Sequence, residues 1–234
     1  MAKSKKNLEW HKKQYQKHTF SSVVNYTFST NKPITFWNAS QSFAENIQTI
    51  INPIDVSQNE FRLHQLKQQK EHYLYTVFKD FWVLNRNNHI YTTVGNGYQG
   101  ESFVSEDTQI LDDSSQNNLS IGGFNNNTTL RFNDLFAGVH YKFRTGIFTL
   151  KQGVFIHKYN WKVNQLNSTV NKNKWVLLPD FFVNIEFNKS KKLKINYNLK
   201  TNFSDVSKLA NRFYLQSYNS VFKGNEILEN ELFH

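Results

Sequence analysis

The sequence of 234 residues predicts an all-β fold, an antiparallel transmembrane β-barrel or part of one, with about 10–11 long meandering strands. Three observations predict it. Apolar and polar residues alternate in runs of roughly 9 to 12 residues, and polar turns rich in Asn separate the runs. Aromatic residues make up 16% of the chain, and such rings favour pleated surfaces and the membrane–water boundary. Charged residues reach only 20%, less than is usual in a soluble domain.

The clearest hairpin lies near the C-terminal end of the chain. Apolar residues occupy every second position of 181–187 and again of 193–199, and polar residues lie between them. The link Asn188–Lys191 has the composition of a tight turn. Runs of this length match the ~9–11 residues of a tilted membrane-spanning strand, whereas soluble sheets commonly use ~5–6.

The same period recurs upstream and predicts further strands. Residues 137–144 and 155–163 flank a predicted turn at Thr145–Gly146, and 73–84 and 89–94 flank a turn at 85–88. A first strand is predicted around 20–28. These hairpins follow one another without a domain break, so residues 1–234 are expected to form a single β-barrel segment.

Several stretches are not predicted to be long strands. Residues 1–16 are expected to be a basic N-terminal extension, and 104–129 and 164–173 are expected to be long loops because they are polar throughout. In the segment 41–70, residues 44–51 favour a short helix and 61–65 a strand.

Composition and charge limit the protein class without choosing a function. The mean hydropathy is −0.63 and no window approaches the ~20 apolar residues of a spanning helix, but alternating barrel strands are invisible to such averages. The formal charge is +10, concentrated in 1–17 and 189–200, and we expect mostly solvated lysines there. No Cys is present, which excludes disulfides and thiolate metal sites.

No catalytic or cofactor motif withstands inspection. Gly95–Gly100 matches GxGxxG, but no helical pattern follows it, so a nucleotide site is not expected and Asn96–Gly97 favours a hairpin turn. No G-x-S-x-G turn is present. The sequence therefore predicts no enzyme, no catalytic residue and no cofactor.

Two weaker candidates concern metal ions. His140 and His157 are expected on neighbouring strands and to face each other, yet the tight ligand spacing of a metal site is missing. Glu106, Asp107, Asp112 and Asp113 form an acidic stretch without the spacing of a calcium loop. We expect solvated or hydrogen-bonded side chains in both cases and no metal site.

The last third of the chain resembles the barrel of TonB-dependent receptors. The stretch Leu177-Leu178-Pro179-Asp180 is similar to the family element that opens a strand, and 222–231 resembles the motif G-N-P-x-L-x-P-E. Glu226 and Asn230 replace the two prolines. The matching positions, expected to be structural, are Leu178, Pro179, Gly224, Asn225, Leu228 and Glu231.

The resemblance implies a function and a location. Family barrels have ~22 strands around a plugged lumen, about twice the number predicted here, so the chain is expected to be a segment of an outer-membrane receptor or transporter for nutrient uptake, not transport-competent alone. Its partners would be outer-membrane lipid and other envelope proteins or the rest of its barrel, with no nucleic acid. An apolar signal segment does not follow the basic N-terminus, so a longer or processed precursor is expected.

One alternative remains open at this point. A soluble all-β module that binds carbohydrate or nucleic acid would use basic strands and aromatic platforms. Lys192, Lys194 and Lys200 beside Tyr197 would then form its binding face.

Overall fold

The computed structural model describes residues 2–15, 17–40, 54–218, 220–228 and 231–233, and three quarters of the chain is strand. Within these residues no helix is long and apolar enough to cross a membrane. The elements are β1 (Ala2–Tyr15), β2 (His18–Asn31), β3 (Ile34–Ala39), β4 (Phe61–Val83), β5 (Asn88–Ile110), β6 (Gln116–Asn118), a 3-10 turn (Leu119–Gly122), β7 (Asn126–Thr145), β8 (Phe148–Gln165), β9 (Ser168–Glu186), β10 (Lys192–Asn198), β11 (Lys200–Asn202), α1 (Val206–Leu209), β12 (Phe213–Ser217), β13 (Ser220–Lys223) and β14 (Glu231–Phe233).

One antiparallel sheet of 10 strands dominates the fold, which confirms the predicted all-β class. Its order is β1-β2-β4-β5-β7-β8-β9-β10, so each long strand pairs with the next long strand along the chain. β3 pairs with β4 beside the end of β2, and Pro33, which has no N–H to donate, separates β2 from β3. The sheet is open: β1 and β10 form its two edges.

The connections that join β1 to β2, β4 to β5, β7 to β8 and β9 to β10 lie at one end of the sheet, here called the turn end. The turns predicted at 85–88, 145–146 and 188–191 are confirmed. In the last of these, the amide N–H groups of Ser190 and Lys191 donate to the side chain of Asn188 at 2.9 and 2.8 Å.

The loop predicted at 164–173 is wrong, because β8 and β9 meet at a two-residue turn at 166–167. The loop predicted at 104–129 is confirmed only in its middle part: β5 continues to Ile110 and β7 begins at Asn126, and the connection 111–125 contains only the short β6 and the 3-10 turn. The basic extension predicted at 1–16 is strand β1 over residues 2–15. Polar side chains do not prevent a strand, because strand stability depends on how each face packs in its context.

The hairpin turn predicted at Asn96–Gly97 is also wrong. Gly95–Gly100 lies in the middle of β5, paired to β4 on one side and β7 on the other. Gly95 makes room for the ring of Phe136, its partner on β7, which lies where a Cβ of residue 95 would be. The local sequence does not distinguish a glycine that leaves space for a neighbouring ring from a glycine in a turn.

The predicted strand at 61–65 is confirmed as part of β4, whereas the helix favoured at 44–51 lies outside the described residues. The five strands β4, β5, β7, β8 and β9 have 18 to 23 residues each, which is longer than the predicted runs. The extra length lies on the side away from the turn end.

The two faces of the sheet have different neighbours. Residues 199–228, here called the covering segment, fold back across one face, here called the covered face. Val206, Leu209, Ala210 and Tyr214 pack there against sheet residues that include Phe103, Leu130 and Trp161. A second cluster joins Leu215 to Leu63, Leu119 and Phe124. The opposite side of the sheet, here called the open face, has no such cover in the described structure.

Candidate functional site

Exposed apolar side chains form a belt across the open face, interrupted by the polar residues Asp80, Asn96 and Gln152. Val139 on β7 is 51% exposed and Leu177 on β9 is 63% exposed, although both lie in the interior of long strands. Such an area far exceeds the scattered apolar residues of an ordinary surface. The residues of this apolar belt are Tyr26, Leu74, Phe78, Trp82, Val94, Tyr98, Leu135, Val139, Tyr141, Phe143, Phe148, Val154, Ile156, Trp175, Leu177, Phe181, Leu193, Ile195 and Tyr197.

The belt has nearly the same height on every central strand. It occupies 74–82, 90–98, 135–143, 148–156 and 177–185, nine positions each, beginning next to the turn end. At ~3.3 Å per residue these stretches are roughly 26 Å long. Aromatic rings lie at both borders, with Trp82, Phe143 and Phe148 towards the turn end, Tyr98 at the far side, and Trp175 two positions beyond the stretch on β9.

The open face becomes polar beyond the belt. Arg131, Lys162, Asn171 and Asn173 are exposed there, on the same strands and the same side as the belt. The change from apolar to polar side chains occurs at the same height on β7, β8 and β9, so it is a property of the sheet and not of one strand.

Polar side chains of the covered face hold the covering segment by its backbone. Asn126 donates through Nδ2 to the carbonyls of Arg212 and Phe213 at 3.2 and 3.1 Å and accepts from the amide N–H of Arg212 at 3.1 Å. Gln65 donates to the carbonyl of Leu215 at 2.8 Å. These buried amides satisfy backbone groups of a segment with little regular structure of its own.

Two buried carboxylic acids belong to the same contact. Glu101 is 7% exposed and accepts from the amide N–H of Val206 at 3.0 Å; burial raises its pKa to about 7. Asp107 is fully buried, accepts from Gln65 at 2.6 Å, and has its pKa raised by burial to about 6. The covering segment is therefore attached through groups that titrate near neutrality.

A cavity of about 390 Å³ lies between the covered face and residues 198–201. Asp134, His157, Asp180 and Thr201 are among its lining residues. Nδ1 of His157 lies 2.8 Å from the Asp134 carboxylate, and Nε2 of His140, which is buried nearby, lies 2.9 Å from that of Asp180. The cavity thus combines aromatic walls with the His157–Asp134 pair and with Asp180, whose partner His140 lies outside the lining.

The aromatic wall continues along the sheet as a stack of six rings. Successive centroids are 5.2 to 6.3 Å apart and successive planes are inclined by 13 to 27°. The rings, in order, are Tyr73, Tyr75, Phe136, His157, Tyr159 and Phe132.

Two of the six predicted motif residues lie in β9. Leu178 is buried in the core of the covered face, and Pro179 lines the cavity, with its carbonyl accepting from the amide N–H of Leu199 at 3.3 Å. Both therefore act where the covering segment begins, as structural residues.

The other four follow the covering segment. Gly224 and Asn225 donate through their amides to the carbonyls of Ala210 and Lys208 at 2.7 and 2.8 Å, which ties the segment back to α1. Leu228 is partly exposed, and its amide donates to the carbonyl of Asn225 at 3.3 Å. Glu231 lies in β14, whose backbone pairs with β11. The six motif residues are thus not assembled into one pocket.

The residues considered as metal ligands do not come together in the structure. His140 and His157 share the covered face, but the ring of Phe155 lies beside both of them and each imidazole is bound to its own aspartate. Asp107 is buried on the covered face, whereas Glu106 is exposed on the open face. Among the described residues no group of three or more His, Cys, Asp or Glu side chains is placed to hold a metal ion.

The residues predicted to form the binding face of a soluble module, Lys192, Lys194, Lys200 and Tyr197, also lie apart. Lys192 and Lys194 pair with Glu186 and Asn184 on the covered-face side of β9, whereas Tyr197 is an exposed member of the apolar belt. Lys200 lies in β11, outside the large sheet. The three lysines and the tyrosine therefore form no common platform.

Sequence reasoning missed Asn126, Gln65 and Glu101, because a polar residue on a strand gives no local sign of what it contacts.

No protein-family model matches this chain, and no curated protein matches it at a significant level.

Proposed function

We propose that this sheet is part of the wall of an outer-membrane β-barrel of the receptor or transporter kind, acting in nutrient uptake. The observation that carries the proposal is the apolar belt. A soluble protein would bury such a surface, whereas in a barrel wall it faces lipid.

The dimensions of the belt support the proposal. Stretches of nine residues are the length that a tilted strand of ~9–11 residues needs to cross the hydrocarbon layer. The aromatic residues at both borders are typical of the two membrane–water interfaces. The polar extension beyond the belt would then stand in water outside the membrane, and the turn end would lie on the periplasmic side, where barrel turns are short.

The covered face would line the lumen of the barrel. Its buried polar side chains and the pairs His140–Asp180 and His157–Asp134 contrast with the mainly apolar belt on the other side of the same strands, where one such pair, His18–Asp80, also lies. An apolar exterior with a polar interior is the arrangement of outer-membrane barrels. The covering segment would occupy part of this lumen and narrow it.

The two sheet edges require partners in this environment. An unpaired backbone group costs several kcal/mol in lipid, so a stable wall has no free edge. We propose that further strands, from the same protein or from another envelope protein, pair with β1 and β10. Passage of a solute would be a property of that completed barrel.

A charged substitution in the belt tests the membrane proposal. Val139 lies at the middle of its nine-residue stretch, so Val139→Arg should reduce the free energy of folding into phospholipid vesicles by about 2–4 kcal/mol. Unfolding in urea is monitored by tryptophan fluorescence, and flotation of the vesicles reports how much of the protein is bound to them.

Asn171→Arg is the matched control, because it places the same charge on the polar part of the open face. Its effect should stay within about 0.5 kcal/mol. Equal effects of the two variants, or a folded monomer in buffer free of detergent and lipid, would refute the proposal.

A further inference from the structure

A second cavity, of about 370 Å³, lies on the covered face next to the turn end and is rich in cations. It is separate from the aromatic cavity and shares no lining residue with it. Its lining residues are Tyr91, Lys142, Arg144, Thr149, Lys151, Phe182, Asn184 and Glu186.

The cations of this cavity oppose one another directly. Lys142 on β7 is the cross-strand partner of Lys151 on β8, and Arg144 follows two positions along the same side of β7. Like charges at directly opposed positions destabilise a sheet. The fold therefore retains an arrangement that costs stability, which is typical of a site with a ligand of opposite charge.

The protein itself neutralises only part of this charge. The one carboxylate that lines the cavity, Glu186, interacts with the charge of Arg144, but it already binds Nζ of Lys192 at 3.1 Å and accepts from Nδ2 of Asn184 at 3.3 Å. Within the described part of the chain, Lys142, Arg144 and Lys151 form no hydrogen bond or ion pair through their side chains. Nζ of Lys151 lies 5.4 Å from the centre of the Tyr91 ring, which restricts where its charge points.

Neutral polar groups in the lining of this cavity indicate which hydrogen-bonding groups the ligand carries. The amide oxygen of Asn184 is buried and has no hydrogen-bond partner among the described residues. An acceptor of this kind needs a donor from the ligand, since a buried unpaired oxygen is costly. The hydroxyl of Thr149 lies in the same lining.

We propose that this basic cavity binds a small oxyanion that also carries a hydroxyl group, such as hydrogen phosphate or the singly protonated form of a phosphate monoester. Arg144 offers a planar fork suited to phosphate oxygens, Lys142 and Lys151 supply point charges, and Asn184 accepts from the hydroxyl. The volume accommodates one small ligand. The site goes beyond the membrane proposal and does not depend on it, because oxyanion binding can be measured in detergent as well as in lipid.

Titration of the folded chain with inorganic phosphate tests the site, using calorimetry at constant ionic strength with chloride as the reference anion. The wild type should bind phosphate, and Lys142→Gln with Lys151→Gln should weaken binding by about tenfold or more, since two charge-assisted contacts are lost. Lys162→Gln is the matched control: it removes a lysine from the open face of β8 and should leave binding unchanged.

The stability of the same variants without phosphate gives a second measurement. Lys142→Gln alone should raise the melting temperature, because it removes the repulsion from Lys151, while it lowers phosphate affinity. A merely structural role of Lys142 predicts a lower melting temperature instead, and that result would overturn the proposal.

Two further outcomes would also overturn it. One is phosphate binding that is no stronger than chloride binding or is equal in wild type and double variant. The other is binding to phosphatidylglycerol vesicles alone, without competition by soluble phosphate, which would assign the cations to a lipid headgroup.

Discussion

The imidazole of His140 lies over Gly153, its cross-strand partner on β8. A Cβ added at residue 153 would lie 2.2 Å from Cδ2 of His140, so only glycine fits beneath the ring. The same imidazole reaches Asp180 on the next strand at 2.9 Å. Gly153 thus determines where a buried His–Asp pair sits.

Gly153→Ala should displace the His140 ring and disrupt its contact with Asp180. Overpacking of this kind costs about 1–3 kcal/mol, and chemical denaturation should report it as a lower free energy of unfolding. Gly97→Ala is the control, because its nearest atoms lie at 3.8 Å and a Cβ fits without strain. That variant should be neutral or slightly stabilising through the lower entropy of its unfolded chain; equal losses would contradict the role of the ring.

Stability should fall as the pH rises between about 4.5 and 7, through Glu101. The folded pKa, about 7, lies above the ordinary glutamate pKa of 4.5, so the folded state binds the proton more tightly and loses this advantage as the group ionises. The contribution is on the order of 3 kcal/mol. Urea titrations at several pH values should show that the unfolding free energy depends less on pH in Glu101→Gln than in the wild type. An unchanged pH dependence would show that Glu101 ionises freely in the folded protein.

Asn126→Ala should loosen the covering segment. The change leaves the amide of Arg212 and two carbonyls without their partner, and each buried unpaired group costs about 1–3 kcal/mol. Hydrogen exchange should show faster exchange over residues 206–215, and trypsin should cleave faster at Arg212. Asn173→Ala, on the exposed part of the open face, should leave both rates unchanged.

Gly224→Ala should detach the same segment at its other end. An added Cβ would lie 2.3 Å from the carbonyl oxygen of Lys208, a backbone atom that cannot rotate away. We expect a loss of about 1–3 kcal/mol, measured by thermal unfolding together with faster tryptic cleavage at Lys223. Leu228→Ala, another position of the same motif, should cost less than about 0.5 kcal/mol because the side chain is partly exposed.

The sequence predicted those parts of the fold that depend on local pattern. The hairpin around Asn188 was predictable because side chains alternate on a strand and Asn caps its own turn. The site was much less predictable. Asn126 and Arg212 are 86 positions apart and meet only because the covering segment crosses the sheet. No local pattern records such a contact.

The stretches whose structure was predicted wrongly also depend on contacts that the local sequence does not record. Residues 164–173 look like a loop because both faces are polar, yet the β8–β9 ladder runs through them. Gly95 resembles a turn residue, yet its role is to leave space for Phe136.

The sequence alone therefore determined the all-β class and which residues share a face, because a period of two follows from the geometry of a strand. The tertiary structure decided that residues 199–228 cover one face, and that the cations Lys142 and Lys151 oppose each other. Those outcomes depend on strand register and on a segment distant in sequence. A shift of one residue in register would turn every side chain of a strand to the other face, and only the folded sheet fixes that register.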